Sequence, residues 1–337
     1  MSGIRRLRPD MRVLASALLL AALVPLAGCG ADDGGSRDDL RKATVVLDYL
    51  PNAVHAGIYR AKAAGYYEEE GIDLEVVSPS STSDTIRLVA AGEADFGLAD
   101  GIDLATQVSR GRQVRGVMAI LSRPAGGLIG VARGGPESPA DLAGKTVGLT
   151  GAPSDRAVFE TIVETAGGDP SLSSTVVIGF NGIQALSAGR VEAFTGYLPE
   201  DATALEARGT ATRTFPFDRW GGPAYPGLVA FSSPELIRDD PALVRGFVDA
   251  TVRGYRDALA NPARAISALA VEVGGVDRRV ARRALEAYAP LIGRPAEVGR
   301  VDPGVIRELS GFLLENGLIE RPVAPGRYFT EKFTGSY

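Results

Sequence analysis

Short apolar runs alternate with amphipathic segments along this chain, and that alternation restricts the fold more than any other feature. Thr44–Leu47, Leu74–Val77, Asp95–Leu98 and Val114–Leu121 read as strands, with helical spacing over His55 to Tyr67 and Thr85 to Ala91 between them. A second block follows the loop at Arg133-Gly134-Gly135-Pro136. Ser138 caps a short helix with Pro139 at its first position, then come strands at Lys145–Leu149, Thr175–Gly179 and Ala193–Tyr197. Helices are expected over about Arg156 to Ala166, with Ser154 or Asp155 as cap, and over Ile183–Ala188. From Pro241 onward the pattern is helical, through Ala242–Asn261, Pro262–Val273, Arg278–Leu285 and Pro303–Asn316. Strand–helix units in two sets, followed by a return to helices, predict an α/β chain of two lobes joined by two crossings. The return crossing is expected near Pro223–Pro234. A cleft between such lobes gathers strand C-termini and helix N-termini, and is the expected ligand site.

The N-terminus addresses the compartment. Arg5, Arg6, Arg8 and Arg12 precede an apolar run of 14 residues, Val13 to Leu26. That run is too short to span the ~30 Å hydrocarbon core and fits a signal sequence. Leu26-Ala27-Gly28-Cys29 looks like a lipoprotein lipobox, so residues 1–28 are expected to be a leader and Cys29 a lipidation site. Gly30 to Arg41 is small and polar, and residues 29–43 read as a flexible tether. About 290 residues remain, enough for two cores. Residues 1–28 carry four Arg and one Asp, so their removal takes the net charge from −5 to −8. An acidic surface argues against nucleic acid as a partner. One cysteine and one histidine, Cys29 and His55, leave no disulfide framework and no thiolate or histidine metal site. No metal and no cofactor is expected.

Several segments carry a resemblance. Leu47-Asp48-Tyr49-Leu50-Pro51-Asn52, His55-Ala56-Gly57-Ile58-Tyr59 and Gly65-Tyr66-Tyr67-Glu68-Glu69-Glu70-Gly71-Ile72-Asp73-Leu74 resemble the thiamine pyrimidine-precursor-binding branch of the type II periplasmic-binding proteins. The likeness continues through Ala91 to Gly97, Gly151 to Asp155, Gly179-Phe180-Asn181, Gly189 to Ala193 and Thr195-Gly196-Tyr197. Sulfonate- and nitrate-binding proteins are related. The resemblance implies two Rossmann-like lobes with two hinge crossings, divided as 44–133, 134–227 and 228–337 with the last part completing the first lobe. It also implies a monomeric, non-enzymatic, lipid-anchored protein on the extracytoplasmic face. Such a protein hands an aminopyrimidine-like small molecule to the permease of an ABC transporter. Asp48, Tyr49, Asn52 and His55 match the first loop, Ser154 and Asp155 the second-lobe helix start, and Tyr197 and Asp201 the segment after the second-lobe strand. Tyr225 matches an aromatic at the return crossing, and Asp100 stands where relatives carry a Ser. Leu198-Pro199-Glu200-Asp201 departs from the family's Trp-Asn pattern, which opens the site to a flavin precursor or another flat heterocycle.

These residue types suit such a ligand, because a flat heterocycle stacks on tyrosine faces while its amines need acceptors. The plainer alternatives are turn residues for Asp48 and Asn52, a helix cap for His55, and an N-cap for Ser154 or Asp155. Tyr59 fits core or site equally, and Tyr66 and Tyr67 fit helix-end packing. Trp220 fits either the cleft or the hinge. A sulfonate or nitrate would want an arginine, with Arg123 and Arg133 available. A pyrimidine-precursor synthase is the enzymatic rival, since those relatives consume a histidine placed like His55. They also carry a cysteine-rich segment, which this chain lacks.

Overall fold

Residues 40–334, Thr82 excepted, are described by the computed structural model. The leader, Cys29 and most of the expected tether lie outside the described residues. The tether ends earlier than expected, because Arg41–Val46 already forms β1 and Ala43 within it is buried. This strand pairs in parallel with Ile72–Val77, so hydrogen bonding to a neighbour orders a segment whose own composition is polar.

In chain order the first lobe contains β1, α1 (Ala56–Ala63), α2 (Tyr66–Glu69), β2 (Ile72–Val77), α3 (Asp84–Ala90), β3 (Phe96–Asp100), α4 (Gly101–Ser109) and β4 (Arg115–Leu121). The second contains β5 (Gly126–Val131), β6 (Thr146–Leu149), α5 (Asp155–Thr165), β7 (Ser174–Val177), α6 (Gly182–Ser187), β8 (Ala193–Tyr197), α7 (Leu198–Ala207) and β9 (Thr212–Pro216). The chain then returns as β10 (Leu228–Ser232), followed by α8 (Pro234–Asp239), α9 (Pro241–Ala260), α10 (Pro262–Glu272), α11 (Arg278–Ile292), α12 (Pro303–Glu315) and α13 (Pro325–Tyr328). Among the described residues no helix is long and apolar enough to cross a membrane.

Each lobe is built on a five-stranded sheet, in the orders β2-β1-β3-β10-β4 and β7-β6-β8-β5-β9. In both, the strand that arrives from the other lobe lies antiparallel to its neighbours: β10 between β3 and β4, β5 between β8 and β9. The first crossing therefore occupies residues 122–125, and β5 precedes the boundary at 133 expected from sequence. Glycines hid this strand. Three of the six residues in Gly126-Gly127-Leu128-Ile129-Gly130-Val131 are glycine, which weakens the strand pattern of Ile129 and Val131, yet a Cβ on Gly127 would lie 2.3 Å from the Phe215 carbonyl oxygen of the next strand.

The two crossings pack on each other. A Cβ on Gly227 would sit 2.3 Å from the Arg123 carbonyl oxygen. Gly101, at the start of α4, is needed for the same kind of reason, since a Cβ there would lie 2.1 Å from the carbonyl oxygen of Pro226. That contact gives a physical account of the glycine that follows Asp100. Packing also decides the ambiguous aromatics. Tyr59 and Tyr67 are buried in the first lobe's core. Tyr67 shares a hydrogen bond with Thr251, and Tyr66 holds Asp257. Trp220 packs edge-on against Phe215, with ring centroids 5.9 Å apart. It supports the second lobe and does not reach the cleft.

Candidate functional site

Strand ends converge between the lobes on a cavity of ≈ 380 Å³. Asp48, Tyr49 and Asn52 follow β1, Asp100 ends β3, Thr150 follows β6, and Tyr197 ends β8. All six line the cavity, with Ser154, Asp155, Asp201 and Tyr225. Of the binding residues expected from sequence, His55 alone does not line it.

The first loop explains why. Asn52 has extended backbone and caps a short turn over Ala53–His55, its side chain accepting from the Val54 N–H at 2.9 Å. The His55 ring folds back beneath the loop and is fully buried. Its Nδ1 accepts the Asn52 N–H at 3.1 Å, which leaves the proton on Nε2 to be donated to Asp48 Oδ1 at 2.8 Å. His55 thus takes the capping place open to it, completing the turn's capping box and supporting Asp48 from behind instead of lining the cavity.

Carboxylates bridge the lobes. The Tyr197 hydroxyl donates to Asp100 Oδ2 and to the Gly227 carbonyl oxygen, each at 3.1 Å. The Ser154 N–H donates to Asp103 Oδ1 at 2.8 Å, and the Ala53 N–H to Glu200 Oε2 at 3.3 Å. Asp155 acts as a staple for its own turn, where Oδ2 accepts from the Thr150 hydroxyl at 2.9 Å and from the Gly151 and Ala152 N–H groups at 2.7 and 3.0 Å. Ser154 sits at the helix start, but its side chain makes no cap hydrogen bond. Asp201 is folded over Gly196, where a Cβ would lie 2.3 Å from its Oδ2.

Crowding acids in a partly dry space holds protons on them. Burial, and then the Asp155 charge, push the Asp103 carboxyl up to about 7. Burial, then Glu200, push Asp201 up to about 7, and burial pushes Glu200 up to about 6. Asp100 is raised by burial and by Asp103. Among the described residues, Arg87 and Arg112 line the cavity; Arg123 and Arg133 do not. Arg87 lies 3.7 Å from Asp84 and 3.8 Å from Glu93. Tyr49 presents its ring to Phe180 of the other lobe, edge-on at 4.4 Å. Tyr288 on α11 is buried, its hydroxyl has no hydrogen-bond partner among the described residues, and the charges of Glu200, Asp201 and Asp48 all bear on it.

Sequence reasoning did not single out Asp103, Phe180, Thr150 or Arg87. An aspartate inside the apolar run Gly101-Ile102-Asp103-Leu104-Ala105 was a usable signal for the first. Glu200, within the Leu198-Pro199-Glu200-Asp201 departure, also lines the cavity. These acceptors can receive amino groups at several points, and the tyrosines can place aromatic rings beside a flat ligand. Among the described residues no cluster of His, Cys, Asp and Glu is arranged to hold a metal ion.

Comparison with known proteins follows the same lines. The model of a family described as NMT1/THI5 like matches residues 52–265. The chain is 31% identical over 252 residues to the formylaminopyrimidine-binding protein of Halalkalibacterium halodurans, covering 74% of this chain and 76% of that one. It is 30% identical over 218 residues to the 4-amino-5-hydroxymethyl-2-methylpyrimidine phosphate synthase of Legionella pneumophila, covering 63% and 68%. The fold matches that of the alkanesulfonate-binding protein SsuA from Xanthomonas axonopodis pv. citri, bound to MOPS, with TM-score 0.69 at 17% identity and coverage of 86% and 98%.

Proposed function

Because the chain belongs to the NMT1/THI5-like family, we propose that it is the solute-binding component of an ABC importer and closes its lobes on an aminopyrimidine. The carrying observation is a cavity shared by two lobes in which tyrosines stand beside carboxylates: Tyr49, Tyr197, Asp48, Asp100 and Asp201. An aminopyrimidine offers a flat face for the rings and N–H donors for the carboxylates, and an anion would meet acids on most sides. Lobe closure would then deliver the ligand to the permease. Export and anchoring through Cys29 belong to the same proposal and rest on the sequence before Gly30.

A binding role is favoured over synthesis by His55. A histidine consumed as a reactant must be reachable, whereas this ring is buried with both nitrogens engaged. Thermal-shift measurement on the full chain tests the ligand, using 4-amino-5-hydroxymethyl-2-methylpyrimidine, its formylamino analogue, riboflavin, taurine and nitrate. The aminopyrimidines are expected to stabilise the protein, by about 2.7 kcal/mol at a hundredfold excess over Kd. Stabilisation confined to taurine or nitrate overturns the reading.

A further inference from the structure

We infer that His55 is a positioning residue for ligand recognition: it fixes the rotamer of Asp48 so that one carboxylate oxygen is spent on the ring and the other faces the cavity. The inference rests on the binding role proposed above. It goes beyond that role because His55 makes no contact with the cavity. The geometry leaves the imidazole one arrangement. Nδ1 accepts the Asn52 N–H at 3.1 Å, so this nitrogen carries no proton, and Nε2–H must point at Asp48 Oδ1, 2.8 Å away. A flipped ring would set a carbon against each partner. A doubly protonated ring would set an N–H against the Asn52 N–H.

The ring is itself held. Val54, beside it, accepts from the Tyr255 hydroxyl at 2.7 Å, and Tyr255 packs against Gly57, where a Cβ would lie 2.4 Å from the ring. Gly254 brings α9 close enough that a Cβ there would meet the Gly57 carbonyl oxygen at 2.1 Å. A rigid chain of contacts therefore runs from α9 through the Ala53–His55 turn to the Asp48 carboxylate. Long or branched substitutes for His55 cannot reproduce two opposed hydrogen bonds in so small a space.

The test compares His55→Gln, His55→Asn and His55→Leu, each with and without Asp48→Asn, for affinity toward 4-amino-5-hydroxymethyl-2-methylpyrimidine and for melting temperature. Glutamine can place an amide N–H near the Nε2 position, whereas asparagine and leucine cannot. His55→Asn and His55→Leu are expected to weaken binding about tenfold to a hundredfold, the scale of one hydrogen bond to a charged group. His55→Gln recovers part of that loss, and none of the three weakens binding further once Asp48 is asparagine. Because His55 is the single histidine in the chain, histidine ¹⁵N NMR of the unliganded full chain reports on this ring without assignment. It should show the Nε2–H tautomer, with a signal that moves in Asp48→Asn. Affinity that merely follows melting temperature across the three variants overturns the inference, as does an Nδ1–H or doubly protonated ring. If the wild type binds no aminopyrimidine, the functional reading falls and the tautomer measurement still decides the contact.

Discussion

The cavity's carboxylates form two groups that are satisfied to different degrees. In Asp100, Asp103 and Asp155 nearly every contact is a donated hydrogen bond from within the protein: two tyrosine hydroxyls, two threonine hydroxyls, a serine hydroxyl and four backbone N–H groups. In Asp48, Glu200 and Asp201 the supply is thinner. Asp48 has one imidazole bond, Glu200 a 3.3 Å contact to Ala53, and Asp201 a backbone bond at Tyr197. A satisfied buried acid shapes its surroundings, while an under-satisfied one gains when a ligand brings donors. The first group ties the lobes and turns together, and the second is where the amino groups of a ligand would be received.

Substitutions separate the two groups. The largest effect is expected at Asp201: changing it to asparagine should weaken aminopyrimidine binding about tenfold to a hundredfold by calorimetry. Its melting temperature should hold or rise, since repulsion from Glu200 is removed. A fall in stability without loss of affinity would move Asp201 into the structural group. Next comes Asp155→Ala, which strands the Thr150 hydroxyl and two N–H groups; denaturant titration should show about 2 kcal/mol lost. A smaller effect, about 1 kcal/mol, is expected for Tyr197→Phe, which removes the hydroxyl that joins Asp100 and Gly227.

The pH dependence sharpens the comparison further. Glu200 at about 6, with Asp103 and Asp201 at about 7, each hold a proton more tightly when folded than when unfolded. Through these groups the folded state binds more protons across that interval, so stability is expected to fall as pH rises from about 4 to 7 and to level off above it. Melting curves of the unliganded protein should show this decline. A saturating aminopyrimidine should flatten it, because donors from the ligand stabilise the ionised acids. A stability that climbs over the same range would contradict the burial of this cluster.

Much of the fold was legible in the chain. Period-two and helical patterns located most strands and helices, because their apolar faces are written at fixed spacing. Asp48, Tyr49, Asn52 and Tyr197 were marked by turn chemistry, family likeness and position at strand ends, and all four line the cavity. The strand Gly126–Val131 was not legible, since its glycines answer to the close approach of β9, which no local pattern records. Trp220 could not be assigned either, as an aromatic gives no sign of which neighbour it will meet.

Local pattern determined that this chain makes two α/β lobes, and the family resemblance marked the tyrosines and acids at their junction. Only the tertiary structure decided which acids face each other, that Asp103 and Glu200 join them, and that His55 lies behind Asp48. The reason is physical. Strand and helix propensity act over a few residues, but the energy of a buried charge depends on every group within several ångströms, and chain crossings alone bring those groups together.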